Sequence, residues 1–365
     1  MKNIKILHTA DLHLDSAFEA LPAGKAAIRR AEQRELLSRL AELARSERAD
    51  IVLLAGDIFD GGGTYFETGA EFVRCLRDMS VPVFIAPGNH DPYDARSPYA
   101  KLDIPQNVRI FTERDVECAE LPELGVRVYG AAFTGSTDGP DITNIRTERA
   151  EGTWNILCAH GEVGFDPVNE QALSASGLDY AALGHIHKAS GLRRSGGTWY
   201  SWPGCPEGRG FDETGEKTVS IVELSDSGCR LTPVCIASRR YEILPVEVTG
   251  CDPLLAVHTV LPENTARDVY RIVLTGEVDT PPDLSRLRRN LDDCFFSLQL
   301  RDETRLRQDV WERAEEDSLR GIFLRKLREK YNSARSEERE LIEQAARWGL
   351  AALDNMEEVV RHEDK

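Results

Sequence analysis

The chain has 365 residues, of which 41% are hydrophobic, so it can bury a larger core than one average domain requires. It carries 45 basic and 62 acidic residues, which gives a formal net charge of −17. This balance argues against a broad basic footprint for nucleic acid. A phosphate-containing substrate is still compatible with it, because two bound divalent cations would reverse the charge locally. Two or three domains are expected.

The N-terminal stretch MKNIKILHTADLHLD becomes polar after a few residues and lacks the apolar centre of a signal peptide. No apolar run approaches the roughly 20 residues that span a bilayer. The eight cysteines are spread singly, without a CxxC pair. That spacing is typical of reduced, mostly buried thiols with no metal role. We therefore expect a soluble, cytoplasmic protein that makes no contact with a membrane.

Short apolar runs alternate with helical patterns through the first 190 residues, which is typical of an α/β fold. Helices are predicted over residues 26–46 and 65–79. The predicted strands are Ile4–Thr9, Ile51–Ala55, Pro82–Ala86, Arg127–Ala131, Asn155–Ala159 and Tyr180–Leu183.

The sequence changes character after this part. Residues 198–236 predict strands joined by Gly-rich turns, as in an antiparallel extension of the sheet. We predict a core domain over residues 1–240, a small α+β capping domain over 241–303 and a charged, helical tail over 304–365. The elements predicted for the capping domain are strands at 242–249, 268–275 and 294–301, with short helices near 252–260 and 283–291.

Polar side chains follow five of the predicted strands, and loops at the carboxyl ends of strands converge on one rim of an open α/β sheet. Five of the eight histidines lie in these segments. Any one of them alone is more often a hydrogen-bonded structural residue, but together they supply enough ligands for two metal ions. The residues are Asp11, His13, Asp57, Asn89, His90, Asp91, His160, His185 and His187.

These residue types suit divalent cations, which take carboxylate and amide oxygens together with imidazole nitrogens. Asp57 is central in the order and is the natural bridge between two ions. His185 and His187 would lie on one face of an extended chain, about 6.6 Å apart along the backbone. That spacing suits ions about 3.5 to 4 Å apart. The segments therefore predict a two-metal site that hydrolyses phosphoesters.

The segments DLHLD, GDIFD, GNHD, AHGE and GHIH resemble, in order, the five motifs of the calcineurin-like metallophosphoesterases. The opening ILHTADLHLD and the stretch WPGCPEGRGFDETGEKTVSIVEL are similar, more narrowly, to the SbcD-type DNA repair exonucleases, which include the YhaO group. The general motifs span residues 11 to 187, and the narrower resemblance reaches about residue 224. The resemblance implies a four-layer β-sandwich core flanked by helices.

The resemblance also implies roles for single residues by motif position. His90 would be the catalytic residue, which donates a proton to the leaving oxygen, and Asp91 would orient it. The ions are usually manganese in this family, with magnesium, iron or zinc as alternatives. One ion would be held by Asp11, His13, Asp57 and His187, and the other by Asp57, Asn89, His160 and His185.

Four further polar residues lie outside the predicted set of metal ligands. His8, inside the first strand, is interpreted as a structural hydrogen-bonding residue. Asp15 and Asp60 are interpreted as turn or cap residues. Arg209, in the loop PEGRGF, is either a contact for a substrate phosphate or an exposed surface arginine.

The motifs do not choose the substrate, because fold and metals serve many phosphoesterases. The narrower resemblance favours a manganese-dependent DNA exonuclease or endonuclease that acts on DNA ends in repair. Its partner would be an SbcC-like SMC ATPase, docked on the helix predicted over residues 336–361, for which packing on its own domain is the alternative role. The resemblance also implies a homodimer through surface helices of the core. The alternatives are a stand-alone phosphodiesterase for small nucleotides and a non-catalytic scaffold subunit.

Overall fold

The structure is a computed structural model that describes residues 1–61, 63–140, 142, 144–163, 167–168, 170–307 and 310–363. The chain divides into two compact units. The first contains Met1–Pro245, Val260–Val273 and Ser285–Arg301, and the second contains Val246–Thr259, Leu274–Leu284 and Asp302–Lys365. The predicted division at residues 240 and 303 stays a prediction.

The described residues form strands and helices along the whole chain. The strands are β1 Ile4–Thr9, β2 Ile51–Leu54, β3 Val83–Ile85, β4 Val108–Ile110, β5 Glu117–Leu121, β6 Val126–Gly130, β7 Trp154–His160, β8 Glu162–Val163, β9 Pro167–Val168, β10 Tyr180–Gly184, β11 Arg193–Ser195, β12 Thr198–Ser201, β13 Thr218–Ser225, β14 Gly228–Cys235, β15 Tyr241–Glu247, β16 Val269–Thr275, β17 Glu277–Val278, β18 Ser297–Asp302 and β19 Arg305–Leu306. The α-helices are α1 Ala23–Ser46, α2 Phe66–Asp78, α3 Pro98–Lys101, α4 Glu170–Ala175, α5 Pro253–Val260, α6 Leu284–Leu291, α7 Leu319–Ser333 and α8 Ser336–Glu363.

Two six-stranded sheets make up the core of the first unit. One has the order β14-β13-β1-β2-β3-β4, in which β1 to β4 are parallel and β13 and β14 are antiparallel additions. The other has the order β11-β12-β10-β7-β6-β5, in which the four central strands are parallel. Parallel strands point their carboxyl ends to the same edge, so each sheet gathers its following loops at one rim.

The alternation of side chains along the strands separates the apolar core into layers. Ile6 and Leu53 pack between the two sheets, against residues such as Ile156 of β7. Their neighbours Leu7 and Leu54 point the other way and pack under α1 and α2. A third cluster covers the outer face of the second sheet and includes residues of α4. The predicted α/β fold, a four-layer β-sandwich core flanked by helices, is confirmed.

The predicted strands of the first 190 residues agree with the structure to within one residue at either end. The prediction for residues 198–236 was wrong in part. β13 and β14 extend the first sheet in the antiparallel sense, but β12 joins the second sheet, parallel to β10. The local pattern shows that a segment is a strand, whereas its sheet depends on distant residues.

A smaller sheet with the order β15-β16-β18 follows the core, as the predicted α+β pattern suggests. The second unit contains the helical tail, where Val310, Ala314, Leu324 and Ala346 form a small apolar cluster. In the described part of the chain, no helix combines the length and the apolar character that crossing a bilayer requires.

Candidate metal centre

The loops after β1, β2, β3 and β10, together with His160 at the end of β7, bring the predicted ligands together. Asp11, His13 and His160 are fully buried, Asn89 and His187 are half-buried, and His185 is exposed. Among the described residues, three groups of donor atoms lie within 4.8 Å of one another. They are Asp11, His13 and His187, then His13, Asp57 and His90, and then Asp11, Asp57 and His160.

The backbone at these positions is unusual. Asp11, His13, Asp57 and His185 have positive φ angles of 55°, 43°, 51° and 96°, a conformation that costs non-glycine residues roughly 1 to 3 kcal/mol each. Hydrogen bonds between the loops hold it in place. The amide of His13 donates to the carbonyl of Asp57 at 2.9 Å, and the amide of His185 donates to the Asp11 carboxylate at 3.0 Å.

The positive φ of His185 overturns one detail of the sequence interpretation. The chain bends directly after β10, so His185 and His187 do not lie on one face of an extended segment. The ring of His185 stands edge-on to His160 at 5.2 Å, and the ring of His187 stands against His13 at 5.1 Å. The bend places the two rings beside different partners.

Two motif glycines allow the loops to approach this closely. A Cβ atom on Gly56, whose φ is +88°, would lie 2.3 Å from Nδ1 of His160. A Cβ atom on Gly88 would lie 2.2 Å from Oδ1 of Asp57. Real Cβ atoms do not approach other atoms this closely, so both positions require glycine for steric reasons.

One half of the centre contains His13 and His187, which are oriented by carboxylates. Nδ1 of His13 lies 3.1 Å from Asp60, and Nδ1 of His187 lies 2.7 Å from Glu213. When both Nδ1 atoms donate to these carboxylates, both Nε2 atoms carry lone pairs. The two Nε2 atoms nevertheless face each other at 3.3 Å, with an oxygen of Asp11 3.9 Å from His187. Acceptors gathered in this way suit a cation between them.

The other half contains His160, which is oriented by the backbone. Its Nδ1 lies 2.9 Å from the carbonyl oxygen of Ala55 and can donate to it, which would leave Nε2 to face a bound metal ion. That Nε2 faces two acceptors, Oδ1 of Asn89 at 3.0 Å and Oδ2 of Asp57 at 3.3 Å. The same Asp57 oxygen lies 3.6 Å from Nε2 of His13. Asp57 therefore stands between the two halves, as a bridging ligand must.

The electrostatics also indicate a site for positive charge. Burial raises the pKa of Asp11 to about 6. Burial alone would lower the pKa of His160, but the negative charge of Asp57 outweighs it and raises that pKa to about 9. Burial would raise the pKa of Asp57, yet His160 and His13 hold it well below its usual range. The buried carboxylates draw positive charge to this point, and the mixed set of oxygen and nitrogen donors fits divalent metal ions.

The structure corrects the role of Asp91. Its buried carboxylate accepts hydrogen bonds from the amides of Ile58 at 2.7 Å and Gly88 at 2.8 Å, and from the hydroxyl of Tyr99 at 2.5 Å. Asp91 therefore ties two motif loops together and does not orient His90. The carboxylate beside Nδ1 of His90 is Asp60, at 3.6 Å.

Asp60, interpreted from the sequence as a turn or cap residue, is thus part of the centre. Glu213 was missed, and Arg209 is not an exposed loop arginine. Its guanidinium donates to Glu213 at 2.7 Å and lies 3.6 Å from Asp60. The sequence offered only a general reason to look for such carboxylates: a metal-binding histidine needs a hydrogen-bond acceptor for its second nitrogen.

Two modest interpretations from the sequence are confirmed. Nδ1 of His8 lies 2.8 Å from the hydroxyl of Tyr180, inside the core. The carboxylate of Asp15 accepts from the amide of Tyr65 at 2.9 Å and the hydroxyl of Thr68 at 2.6 Å, at the start of α2. Neither residue belongs to the three donor groups.

The fold and the donor set together define a metal-dependent hydrolase with a loop-built site on a β-sandwich. The sequence model described as "Calcineurin-like phosphoesterase" matches residues 4–189, about half of the chain. The chain belongs to this family, and it is a hydrolase that acts on phosphoester bonds.

Three curated relatives extend over most of the chain. It is 26% identical over 325 residues to the uncharacterized metallophosphoesterase YhaO of Bacillus subtilis, covering 82% of this chain and 78% of that protein. It is 24% identical over 300 residues to the DNA double-strand break repair protein Mre11 of Saccharolobus solfataricus, covering 75% and 76%. It is 26% identical over 266 residues to a subunit of the nuclease SbcCD of Bacillus subtilis, covering 60% and 66%.

Proposed function

We propose that this chain is a manganese-dependent DNA exonuclease or endonuclease that acts on DNA ends in repair. The observation that carries a two-metal reaction is the position of Asp57, whose Oδ2 lies within 3.6 Å of His13 and 3.3 Å of His160. The case for DNA is supported by two relatives, one named as a break repair protein and one as part of a nuclease.

The ligand assignment in this proposal follows the two halves of the centre. Bound divalent ions supply an activated water and offset the charge of the phosphate. The protein's residues hold the imidazoles of His13, His160 and His187 so that their Nε2 atoms face the other donors of the centre. One ion would be held by Asp11, His13, Asp57 and His187, and the other by Asp57, Asn89, His160 and His185, of which Asn89 and His185 lie beside His160.

His90 acts on the leaving oxygen in this proposal. Its amide donates to Oδ1 of Asp57 at 2.9 Å, which fixes its backbone beside the bridging carboxylate. Its side chain is 48% exposed and its Nδ1 faces Asp60, so the imidazole edge with Nε2 is directed away from that carboxylate. A protonated Nε2 there donates to the departing alkoxide and yields a free hydroxyl and a phosphate monoester.

Protein partners complete the proposal. An SbcC-like SMC ATPase docks on the helical tail, where the side chains of Leu341 and Trp348 are 69% and 74% exposed, two turns apart on α8. A homodimer forms through the helices of the core. The support for it is an apolar surface around Phe66, which is 86% exposed beside a cavity of about 630 Å³.

The test is hydrolysis of blunt duplex DNA and of bis-p-nitrophenyl phosphate with manganese, with and without the ATPase. We expect both substrates to be cleaved, and His90→Ala to lose roughly 10² to 10⁴ in rate, as expected for loss of a general acid. The matched control is His258→Ala, which removes an exposed histidine far from the motifs in sequence. Cleavage of the small ester alone, even with the ATPase present, would overturn the nuclease proposal.

A further inference from the structure

A second cavity lies beside the metal centre and has no assigned role. Its volume is about 600 Å³, and residues 186–189, 203–205 and 212–218 line it. It shares His187 and Glu213 with the centre, but none of the other metal-site residues lines it. A ligand in this cavity would therefore sit next to the reaction site and not in it.

Lys217 lines this cavity in an unusual state. The residue is only 6% exposed. No hydrogen bond or carboxylate within 4.0 Å pairs with its ammonium among the residues that the structure describes. The nitrogen keeps some access to solvent, because it is not among the enclosed polar atoms without a partner, and Lys217 is one of the residues that line the cavity. Because most of the side chain is buried and no acidic group is paired with it, the ammonium is available to pair with an anion.

The acidic residues of the cavity do not satisfy Lys217. Glu213 is engaged by Nδ1 of His187 at 2.7 Å and by Arg209 at 2.7 Å. Asp212 and Glu216 are exposed at the rim, where Lys188 adds an exposed ammonium. The two carboxylates and one ammonium at the rim largely offset each other in charge. The ammonium of Lys217 is therefore the group that favours a negatively charged ligand.

Backbone hydrogen bonds and tight packing hold the cavity walls in place without a ligand. The amide of Cys205 donates to the carbonyl of His187 at 3.2 Å, and the amide of Ser190 donates to that of Trp202 at 3.0 Å. Gly204, at a φ of +77°, packs so tightly that a Cβ atom would lie 2.8 Å from the amide nitrogen of Ala189. A preformed wall reduces the ordering cost of binding.

We propose that Lys217 forms the floor of an anion subsite that binds a phosphate group next to the one being hydrolysed. The subsite rests on the proposed function for its place in catalysis. The phosphate group has two possible sources, a flanking phosphodiester of the substrate strand or a free phosphate. Both present anionic oxygens that a lysine ammonium pairs with as a point charge.

Binding without metal tests the subsite independently of the enzyme's activity. In EDTA, titration calorimetry measures the affinity of inorganic phosphate and of a short single-stranded deoxythymidine oligonucleotide. We expect Lys217→Met to weaken at least one of them about tenfold, and Lys217→Arg to restore it to within about threefold, because the charge is kept. The matched control is Lys5→Met, since Lys5 is paired with Glu47 and Glu223 away from the motifs.

The salt dependence separates a direct phosphate contact from a structural effect. The slope of log affinity against log salt for the oligonucleotide should fall by about 0.7 in Lys217→Met, the value for one contact with a single strand. A changed slope identifies a strand phosphate as the ligand, whereas loss of inorganic phosphate binding alone identifies free phosphate. Both results support the subsite.

A chemical measurement on the unaltered protein covers the case in which Lys217→Met does not fold. Reductive methylation, followed by peptide mass spectrometry, should be slowed at Lys217 by phosphate or by the oligonucleotide and left unchanged at Lys5. Unchanged affinities in a folded Lys217→Met, or no protection of Lys217, would overturn the subsite. Absence of hydrolysis with binding intact would overturn the proposed function alone.

Discussion

The two halves of the metal centre hold their histidines by different means. His160 is oriented by the carbonyl of Ala55, at 2.9 Å. His13 and His187 are oriented by the side chains of Asp60 and Glu213, at 3.1 and 2.7 Å. A carbonyl held by a sheet strand is fixed by the fold, whereas a carboxylate on a loop depends on what holds the loop. The orientation of His160 should therefore be lost only when the backbone changes. The orientation of His13 and His187 should be lost when a single carboxylate is replaced.

The loop that carries Glu213 is held by a buried network of ion pairs. Arg29 of α1 is fully buried and donates to Glu207 at 2.7 Å. Glu32 of the same helix pairs with Arg239 at 2.6 Å, and Glu207 also accepts from the amide of Ser238 at 2.8 Å. Nearer the metal centre, Arg209 lies between Glu213 and Asp60. The orientation of His187 thus depends on charges well outside the site.

The largest effect is expected from a change in the backbone-held half. Gly56→Ala places a Cβ atom 2.3 Å from Nδ1 of His160, so either the imidazole or the loop after β2 must move. We expect more than a hundredfold loss of hydrolysis, above the roughly 10- to 100-fold expected when only a group that orients a metal ligand is replaced. Steady-state hydrolysis of bis-p-nitrophenyl phosphate measures it.

The matched control for this change is Gly152→Ala. Gly152 has a similar φ of +80°, but a Cβ atom there would meet nothing within 4 Å. It should lower the free energy of unfolding by about 1 to 2 kcal/mol through backbone strain alone and leave hydrolysis unchanged. Equal activity in the two variants would show that contact with His160 does not matter.

A smaller effect is expected in the half that side chains hold. Glu213→Gln removes the charge that orients His187 and should weaken metal binding or hydrolysis by roughly 10- to 100-fold. Glu216→Gln, three residues away and exposed, is the matched control and should leave the metal affinity unchanged. Metal affinity from titration calorimetry gives the comparison. A Glu213→Gln variant that binds metal as tightly as Glu216→Gln would contradict the role of the loop carboxylate.

The smallest effect concerns pH and the network behind the loop. Burial would raise the pKa of Glu32, but Arg239 and Arg29 hold it below its usual 4.5. A lowered pKa in the folded state adds stability that is present above pH 4.5 and is lost as the pH falls through the folded value. Glu32→Gln should therefore show a shallower loss of unfolding free energy in acid. Urea unfolding between neutral and acid pH measures it.

The control for this measurement is Glu35→Gln, an exposed position on the same helix. If Glu32→Gln and the unaltered protein lose the same free energy of unfolding below pH 4.5, the ion pairs of Glu32 do not contribute to stability. A steeper loss in the variant would contradict the sign of the pKa shift.

Local sequence determined much of this protein. Each of the strands β1, β2, β3, β7 and β10 is a short apolar run, and a run of this kind depends mainly on its own residues. The polar residues that follow them could therefore be placed at one rim, because parallel strands end at the same edge. Asp11, His13, Asp57 and His160 were predicted in this way, and they do lie together.

Only the tertiary structure decided which groups support those residues. Asp91 follows His90 directly but turns toward Tyr99, while Asp60, 30 positions earlier, faces His90. Glu213 reaches His187 from 26 positions away, and β12 pairs in a different sheet from β13. Strand pairing and side-chain packing join distant segments, and the periodicity of one segment carries no information about its partner. The sequence therefore determines the inward-facing donors, whereas the packed fold determines how they are oriented.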